Sequence, residues 1–430
     1  VAAKSHIDGL APEAHAKPKW SRSLRFRNWV LAAVERLAEL GFRPPKTWLA
    51  AGNRVYKAYC NRVTLPRLAR RKGLSGIVLV RREQPAPWQK IGSDRTVVIR
   101  EQRLQRFLDC SVNYPRYAQS VPSQFVCTLR NAFLHIPSGA VITPDGRLIP
   151  ESISNKVEFF LSRTRVPSEP VSIEGRYATL MHRINRNYFH WMIDCLPRTY
   201  ILSQMSDPQP VTLLVPASAA PFQRLSLEWC LPNNVDVKYV PDEWVRVEQL
   251  VLPSFPVDPP LGLLPPECLD YVRTRIFERL GLQRIENPKR RIYVSRAGTG
   301  WKRVVNETEV TDLLAKFGFE AIRPERLSLE DQVKLFHAAE MVAGGRGAGL
   351  ANILFSTRIK VLEITAQAPF VGEVYFGLSQ ALGHQYHYLF TKRAGTDYEV
   401  DLEKLEAVLT QMMEGGNGSH DGSRDRSRAN

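Results

Sequence analysis

From about residue 76 onward the chain carries short apolar runs separated by turn residues, with no long uninterrupted hydrophobic stripe. Runs of three to five apolar residues bounded by Gly, Pro, Asn or Asp read as strands, and longer stretches with apolar positions three and four apart read as helices. In the first half this predicts strands at Ile77–Val80, Thr96–Ile99, Ala140–Thr143, Ala178–Met181, Val211–Val215, Val235–Val240 and Gln249–Leu252. A turn is predicted at Pro144-Asp145-Gly146 and a helix over Phe222–Cys230. The second half alternates more regularly. Helices are predicted over Glu267–Leu280, Asn306–Phe317, Ser328–Ala339, Val371–Leu382 and Leu402–Met413. Strands are predicted at Arg291–Val294, Glu320–Arg323, Met341–Ala343, Val361–Ile364 and Tyr386–Phe390. Such repeated βα units imply a parallel sheet covered on both faces.

Between the halves, Pro253–Pro266 holds six prolines and reads as an interdomain linker. The expected organisation is a basic helical extension over 1–75, an α/β domain over 76–262, a second over 263–400, and a helix with a disordered tail over 401–430. At 430 residues and 44% hydrophobic content, two globular cores are affordable and wholesale disorder is excluded. No apolar run is long enough to cross a bilayer, and the first twenty residues lack the apolar core of a signal peptide. The six cysteines, at 60, 110, 127, 195, 230 and 268, form no C-x-x-C pair. That spacing argues against a disulfide framework or a structural zinc site, and fits a cytoplasmic protein.

Charge changes the picture only at the front. Residues 1–75 carry 16 Lys and Arg against 4 Asp and Glu, so +12 of the net +16 lies there. Arg alternates with Trp and Phe over Trp20–Trp29, ahead of a predicted helix at Val30–Leu40 and the basic run Arg67–Lys72. Residues 20–72 fit either peripheral contact with an anionic membrane, at its inner face, or a solvated extension. No binding module accompanies the charge, so no nucleic-acid partner is expected.

Four segments carry candidate chemistry. Gly344-Gly-Arg-Gly-Ala-Gly-Leu350 lies between a predicted strand and helix, where free N–H groups suit phosphate; close strand–helix packing explains it equally well. Arg296 leaves the carboxyl end of a strand, followed by Lys302 and Arg303, and such cations can neutralise a diphosphate or simply be solvated. In Asn187-Tyr-Phe-His190-Trp-Met-Ile-Asp194-Cys-Leu-Pro-Arg198, a helix would put His190 and Asp194 on one face, as a general base and its orienter or as a packed core pair. Glu363 sits in the apolar run Val361–Thr365, where it needs either a ligand hydroxyl or an internal ion pair.

Taken in order, N-x-x-H-W-x-x-D-x-L-P-R (187–198), Y-V-S-R (293–296), R-x-x-N-E (303–307), E-D-Q-V-x-L-F-x-x-A (330–339), G-A-G-L-x-N-I-L-F (347–355) and L-E-I (362–364) resemble glycosyltransferase family 61 over roughly residues 170–390. The resemblance implies a GT-B architecture, two Rossmann-like α/β domains facing across a cleft. It also implies inversion at the sugar carbon, a nucleotide-sugar donor, a glycan acceptor, and no metal or other cofactor. On this reading Arg296, Lys302, Arg303, Arg346 and the backbone of Gly347, Ala348 and Gly349 bind the donor diphosphate, and Glu363 a ribose or sugar hydroxyl. His190 or Asp194 deprotonates the acceptor, with His190 favoured, and Asn187 and Arg198 lie on the acceptor side. A bacterial surface-polysaccharide role fits the cysteine usage and the missing apolar spans. One departure stands out: Arg346 occupies the place where the family usually has a histidine before G-A-G-L, and arginine is no base at neutral pH. A non-catalytic nucleotide-sugar-binding or scaffold protein is the alternative reading.

Overall fold

The computed structural model describes residues 76–77, 88–91, 95–99, 117–121, 124–153, 170–256, 264–300, 302–366 and 374–414. The basic extension, its predicted helix, the middle of the proline-rich stretch and the tail after Glu414 lie outside the described residues.

Apolar alternation gathers the first-half strands into one mixed sheet. Its strands are β1 (Gly76–Ile77), β2 (Trp88–Ile91), β5 (Gln124–His135), β6 (Ala140–Ile142), β7 (Arg147–Ile149), β8 (Val171–Ala178), β9 (Val211–Pro216), β10 (Val235–Val240) and β11 (Trp244–Pro253). β3 (Arg95–Ile99) and β4 (Tyr117–Val121) pair separately. The order is β1-β7-β6-β5-β11-β8-β9-β10, with β2 also on β5. β11, β8, β9 and β10 run parallel, whereas β5 is antiparallel to β2, β6 and β11. This half is therefore a mixed sheet, with a run of four parallel strands and a further parallel pair, β1 on β7, at its edge. The predicted turn at Pro144–Gly146 joins the antiparallel pair β6–β7, with Gly146 in the left-handed region (φ 82°).

The second half forms the parallel sheet that its periodicity implies. β12 (Arg290–Val294), β13 (Phe319–Ile322), β14 (Ala339–Gly345), β15 (Lys360–Ala366) and β16 (Gln385–Ala394) are parallel, and β17 (Asp397–Glu399) closes the edge antiparallel. The order β13-β12-β14-β15-β16-β17 is doubly wound. Chain progression reverses between β12 and β14, and at such a switch point the loops leave in opposite directions and open a crevice at the carboxyl ends.

The described helices are α1 (Tyr188–His190), α2 (Arg198–Ser203), α3 (Pro221–Cys230), α4 (Pro266–Leu280), α5 (Glu307–Lys316), α6 (Leu329–His337), α7 (Val374–Leu382) and α8 (Leu402–Glu414). Helix α4 links the halves. Pro266 starts it, Gly281 ends it with φ 64°, and Cys268, Leu269, Val272 and Ile276 line its buried stripe. That stripe packs against α2 and α3 on one side and against α7 and the turn 348–355 on the other. Leu227 and Trp229 of the first half and Ile353 and Leu378 of the second share its hydrophobic cluster. Burying each large aliphatic of the stripe contributes about 1.5–3 kcal/mol, so the halves are welded through this helix. Cys127, Cys195, Cys230 and Cys268 are buried. Among the described residues no helix is long and apolar enough to cross a membrane.

Three histidines are stored neutral. Burial pushes His135, His384 and His387 each down to about 4. His384 shows why: its Nδ1 accepts from the Ile359 N–H (3.3 Å) while its Nε2 donates to the Ile353 carbonyl (3.0 Å), which only the neutral ring can do. Between their ordinary value of 6.5 and about 4 these groups bind fewer protons folded than unfolded. Stability is therefore lost as pH falls through that window, at up to about 1.4 kcal/mol per pH unit for each ring. Thermal unfolding at pH 5.5, measured calorimetrically in buffers of different ionisation enthalpy, is expected to take up protons and to occur below its pH 7 temperature. Unfolding without proton uptake would contradict neutral burial.

Candidate active site

The motif at 187–198 folds as a capped, widened helical turn. Asn187 caps α1 by accepting from the Phe189 N–H (3.0 Å), and its side chain is exposed. After His190 the turn opens to a π geometry over Trp191–Cys195, with the Leu196 N–H donating to the Trp191 carbonyl at 2.8 Å. Pro197 contributes no N–H to continue the ladder. Trp191 is fully buried and its Nε1 donates to Ser226 Oγ (2.8 Å), which anchors the turn from beneath.

His190 Nδ1 meets Asp194 Oδ2 at 2.6 Å, and their side chains are 30% and 25% exposed, so the pair reaches solvent. With Nδ1–H committed to the carboxylate, His190 presents Nε2 as its proton acceptor. His182, His190 and Asp194 are also the group among the described residues whose ligand atoms lie close enough to hold a metal, within 4.8 Å of one another. Within that group His190 Nδ1 and Asp194 Oδ2 stand at hydrogen-bond distance, 2.6 Å.

Arg198 points inward. It is fully buried, with Nη1 on the Met181 carbonyl (3.1 Å), Nη2 on the Pro253 carbonyl (2.5 Å) and its guanidinium 4.2 Å over the Phe255 ring. Burial pushes its pKa down to about 10, so it stays a cation at neutral pH. Arg198, placed on the acceptor side from sequence, thus packs against backbone carbonyls and an aromatic ring in the interior.

At the switch point of the second sheet, Arg296 follows β12 and the glycine turn follows β14. Arg296 is 8% exposed, and its Nε donates to the Lys302 carbonyl (2.7 Å). Its guanidinium lies across the glycines: a Cβ on Gly347 would stand 1.6 Å from Nη1, and one on Gly345 2.8 Å from Cδ. Lys302 is half-buried in the left-handed region (φ 54°), a conformation that costs a non-glycine residue about 1 kcal/mol. The loop around it is stitched to the edge strand. The Arg303 backbone N–H and guanidinium hold Asp397 at 2.8–3.0 Å and keep that carboxyl below the usual range, and Asn306 exchanges two hydrogen bonds with the Val400 backbone. Arg303, read from sequence as a phosphate ligand, is thus engaged by a carboxylate 94 residues away.

Gly347, Ala348 and Gly349 open a 3-10 turn over Ala348–Phe355, half-buried, with the Tyr375 hydroxyl donating to the Gly347 carbonyl. Arg346 Nε lies 3.5 Å from Glu363 Oε1, while Tyr386 donates to Oε2 (2.5 Å). Glu363 is fully buried; burial pushes its pKa up against the pull of Arg346 and Tyr386. Of the two readings of Glu363, the internal ion pair is present.

The two halves of the site meet through α1. Tyr188 donates to Asn352 Oδ1 (2.6 Å), and the edge of Phe189 meets Tyr375 (5.5 Å, 79°). Residues 188–362 match the glycosyltransferase 61 family model. The glycosyltransferase 61 match opens at Tyr188 and contains His190, Asp194, Arg198, Arg296, Lys302, Arg303 and Arg346–Gly349; Asn187 and Glu363 fall one residue outside its ends. The resemblance read from the ordered motifs therefore holds, and it supports a glycosyltransferase. No curated protein matches the chain. Among solved structures, a flavo di-iron protein mutant from Thermotoga maritima aligns at 13% identity over 75% of this chain and 100% of its own, with a TM-score of 0.22, too low to carry an argument.

Residues absent from the sequence reading are His182, Tyr188, Tyr375 and Asp397. Tyr188 fills an unassigned position inside the 187–198 motif and His182 lies five residues before it, so a closer reading of the motif and its flank would have found them; Tyr375 and Asp397 gave no local signal. Replacing Tyr188 with Phe leaves the Oδ1 of a buried amide unpaired, and is expected to cost about 1–3 kcal/mol in urea unfolding. Unchanged stability would remove this bond as the weld between the halves.

Proposed function

We propose that the chain is an inverting, metal-independent glycosyltransferase that moves a sugar from a nucleotide-sugar donor to a hydroxyl of a glycan. The observation that carries this reading is the meeting of α1 with the glycine turn, which sets a solvent-reaching His–Asp pair beside a cationic switch-point crevice. Arg296, Lys302 and Arg346, with the N–H groups of Gly347–Gly349, receive the diphosphate. Arg303 holds the Lys302 loop in place through Asp397, and Glu363 orients Arg346. The acceptor oxygen attacks the anomeric carbon as the bond to the diphosphate breaks and the nucleotide diphosphate leaves with the electron pair. The acceptor proton passes to His190 Nε2, while Asp194 stabilises the imidazolium. Asn187, exposed at the cap of α1, lies on the acceptor side. A GT-B relation between the halves, a cytoplasmic location, a role in bacterial surface-polysaccharide synthesis and membrane contact through residues 20–72 complete the reading.

Calorimetric titration with UDP, GDP, CMP and their common sugars, with and without EDTA, tests it. One nucleotide is expected to bind irrespective of EDTA, and R296A to weaken it about 10- to 100-fold by loss of a charge-assisted contact. G347A should act in the same direction, since its methyl group displaces the Arg296 guanidinium. H190A should spare binding and lower turnover by about 10²–10⁴. No binding across the panel would favour the scaffold reading, and near-normal turnover in H190A would pass the base role to Asp194.

A further inference from the structure

His190 is held along its edge by Asp194, but one hydrogen bond does not fix the plane of a ring that is 30% exposed. A second constraint comes from a residue outside the matched region. The His182 ring stacks on His190 with centroids 5.2 Å apart and planes 23° from parallel. His182 also meets Phe255 at right angles (5.3 Å, 82°), and Phe255 lies under the Arg198 guanidinium. The four groups form a column from a buried cation to the solvent-reaching imidazole.

The column is rigid at its base. Arg198 binds the carbonyl of Met181, the residue before His182, and Asn185 Nδ2 binds the His182 carbonyl at 2.7 Å. His182 Nδ1 accepts from the Ile184 N–H at 3.3 Å, a role open only to an unprotonated nitrogen. The ring is 4% exposed. His182 thus offers His190 a neutral aromatic face in a fixed orientation. Such a face favours the positive charge that His190 gains on taking the acceptor proton, whereas a charged ring there would oppose it.

We propose that His182 is the positioning residue of the His190 base, its face setting the plane in which His190 keeps Nδ1–H on Asp194 and Nε2 toward the acceptor. This rests on the base assignment above, but its first readout needs no substrate. The face and not the heteroatoms does the positioning, so phenylalanine should replace His182 and alanine or leucine should not.

The test uses full-length protein labelled with ¹⁵N-histidine, with the His190 signals assigned by their loss in H190Q. Long-range ¹H–¹⁵N spectra at pH 7.5 are expected to show His190 as one tautomer, Nδ1 protonated, in wild type and H182F. In H182A, or in H182L where alanine disturbs folding, the two nitrogen shifts should converge as the ring leaves Asp194. With the donor retained in the nucleotide titrations, kcat should fall about tenfold or more at unchanged KM in H182A and stay within about twofold in H182F. Identical His190 shifts in wild type, H182A and H182L would overturn the proposal, as would H182F behaving like H182A. Converging shifts without transfer from any donor would leave the positioning role standing and sink the transferase reading instead.

Discussion

Asn352 has no access to solvent, and an amide buried in that way must find protein partners for both its oxygen and its NH₂ group. Its oxygen is taken by Tyr188, and its nitrogen by Gln332 of α6 and the Gly349 carbonyl. Helices α1 and α6 are thereby both tied to the turn that carries Asn352. The constraint is strong because each of these bonds, if lost, leaves a buried polar atom without water to replace it. It also has direction: Tyr188 lies two residues before His190, and Gly349 lies in the turn that Arg296 covers. The spacing between the His190 turn and the glycine turn is therefore set by satisfaction of one buried amide, while hydrophobic burial along α4 supplies the bulk of the adhesion.

Charge is organised by the same logic of partners. Arg198 is held by two backbone carbonyls and an aromatic face, and it retains its charge in the interior close to Asp194. Arg303 instead meets Asp397 through two guanidinium nitrogens and its own backbone N–H, which fixes a loop and neutralises the cation. Two arginines of one family pattern thus do opposite things, and the difference lies wholly in what faces them.

This explains what the sequence could and could not disclose. Elements of the second half were legible because βα repetition is local: each helix and strand is set by its own periodicity, and the His190–Asp194 contact follows from a spacing of four. Strand β5 escaped because Arg130 and Asn131 interrupt its apolar alternation, with Asn131 at φ 53°. The strand survives there because β11 pairs with it on both sides of the break, up to Arg130 and again from Ala132. The burial of Arg198 and the Arg303–Asp397 and Tyr188–Asn352 pairs were not legible, since their partners stand 17 to 164 positions away and no local pattern encodes them. The turn after β14 was read as the start of a helix, and it coils as a 3-10 turn whose first carbonyl is claimed by Tyr375.

Arg346 shows how a departure from a family pattern is absorbed. A fully buried carboxylate at Glu363 needs a cation, and burial already works against its ionisation. A histidine in place of Arg346 would supply that cation only while protonated, so the pair would weaken as pH rose toward neutrality. Arginine remains charged at every pH at which a protein folds, and its planar fork can face Glu363 with one nitrogen while leaving others directed elsewhere. The substitution removes a titrating group from the glycine turn and leaves a permanent positive charge there. On the reading proposed above, that exchange keeps the turn cationic and leaves proton transfer to His190, where the Asp194 carboxylate and the stacked His182 ring already stand.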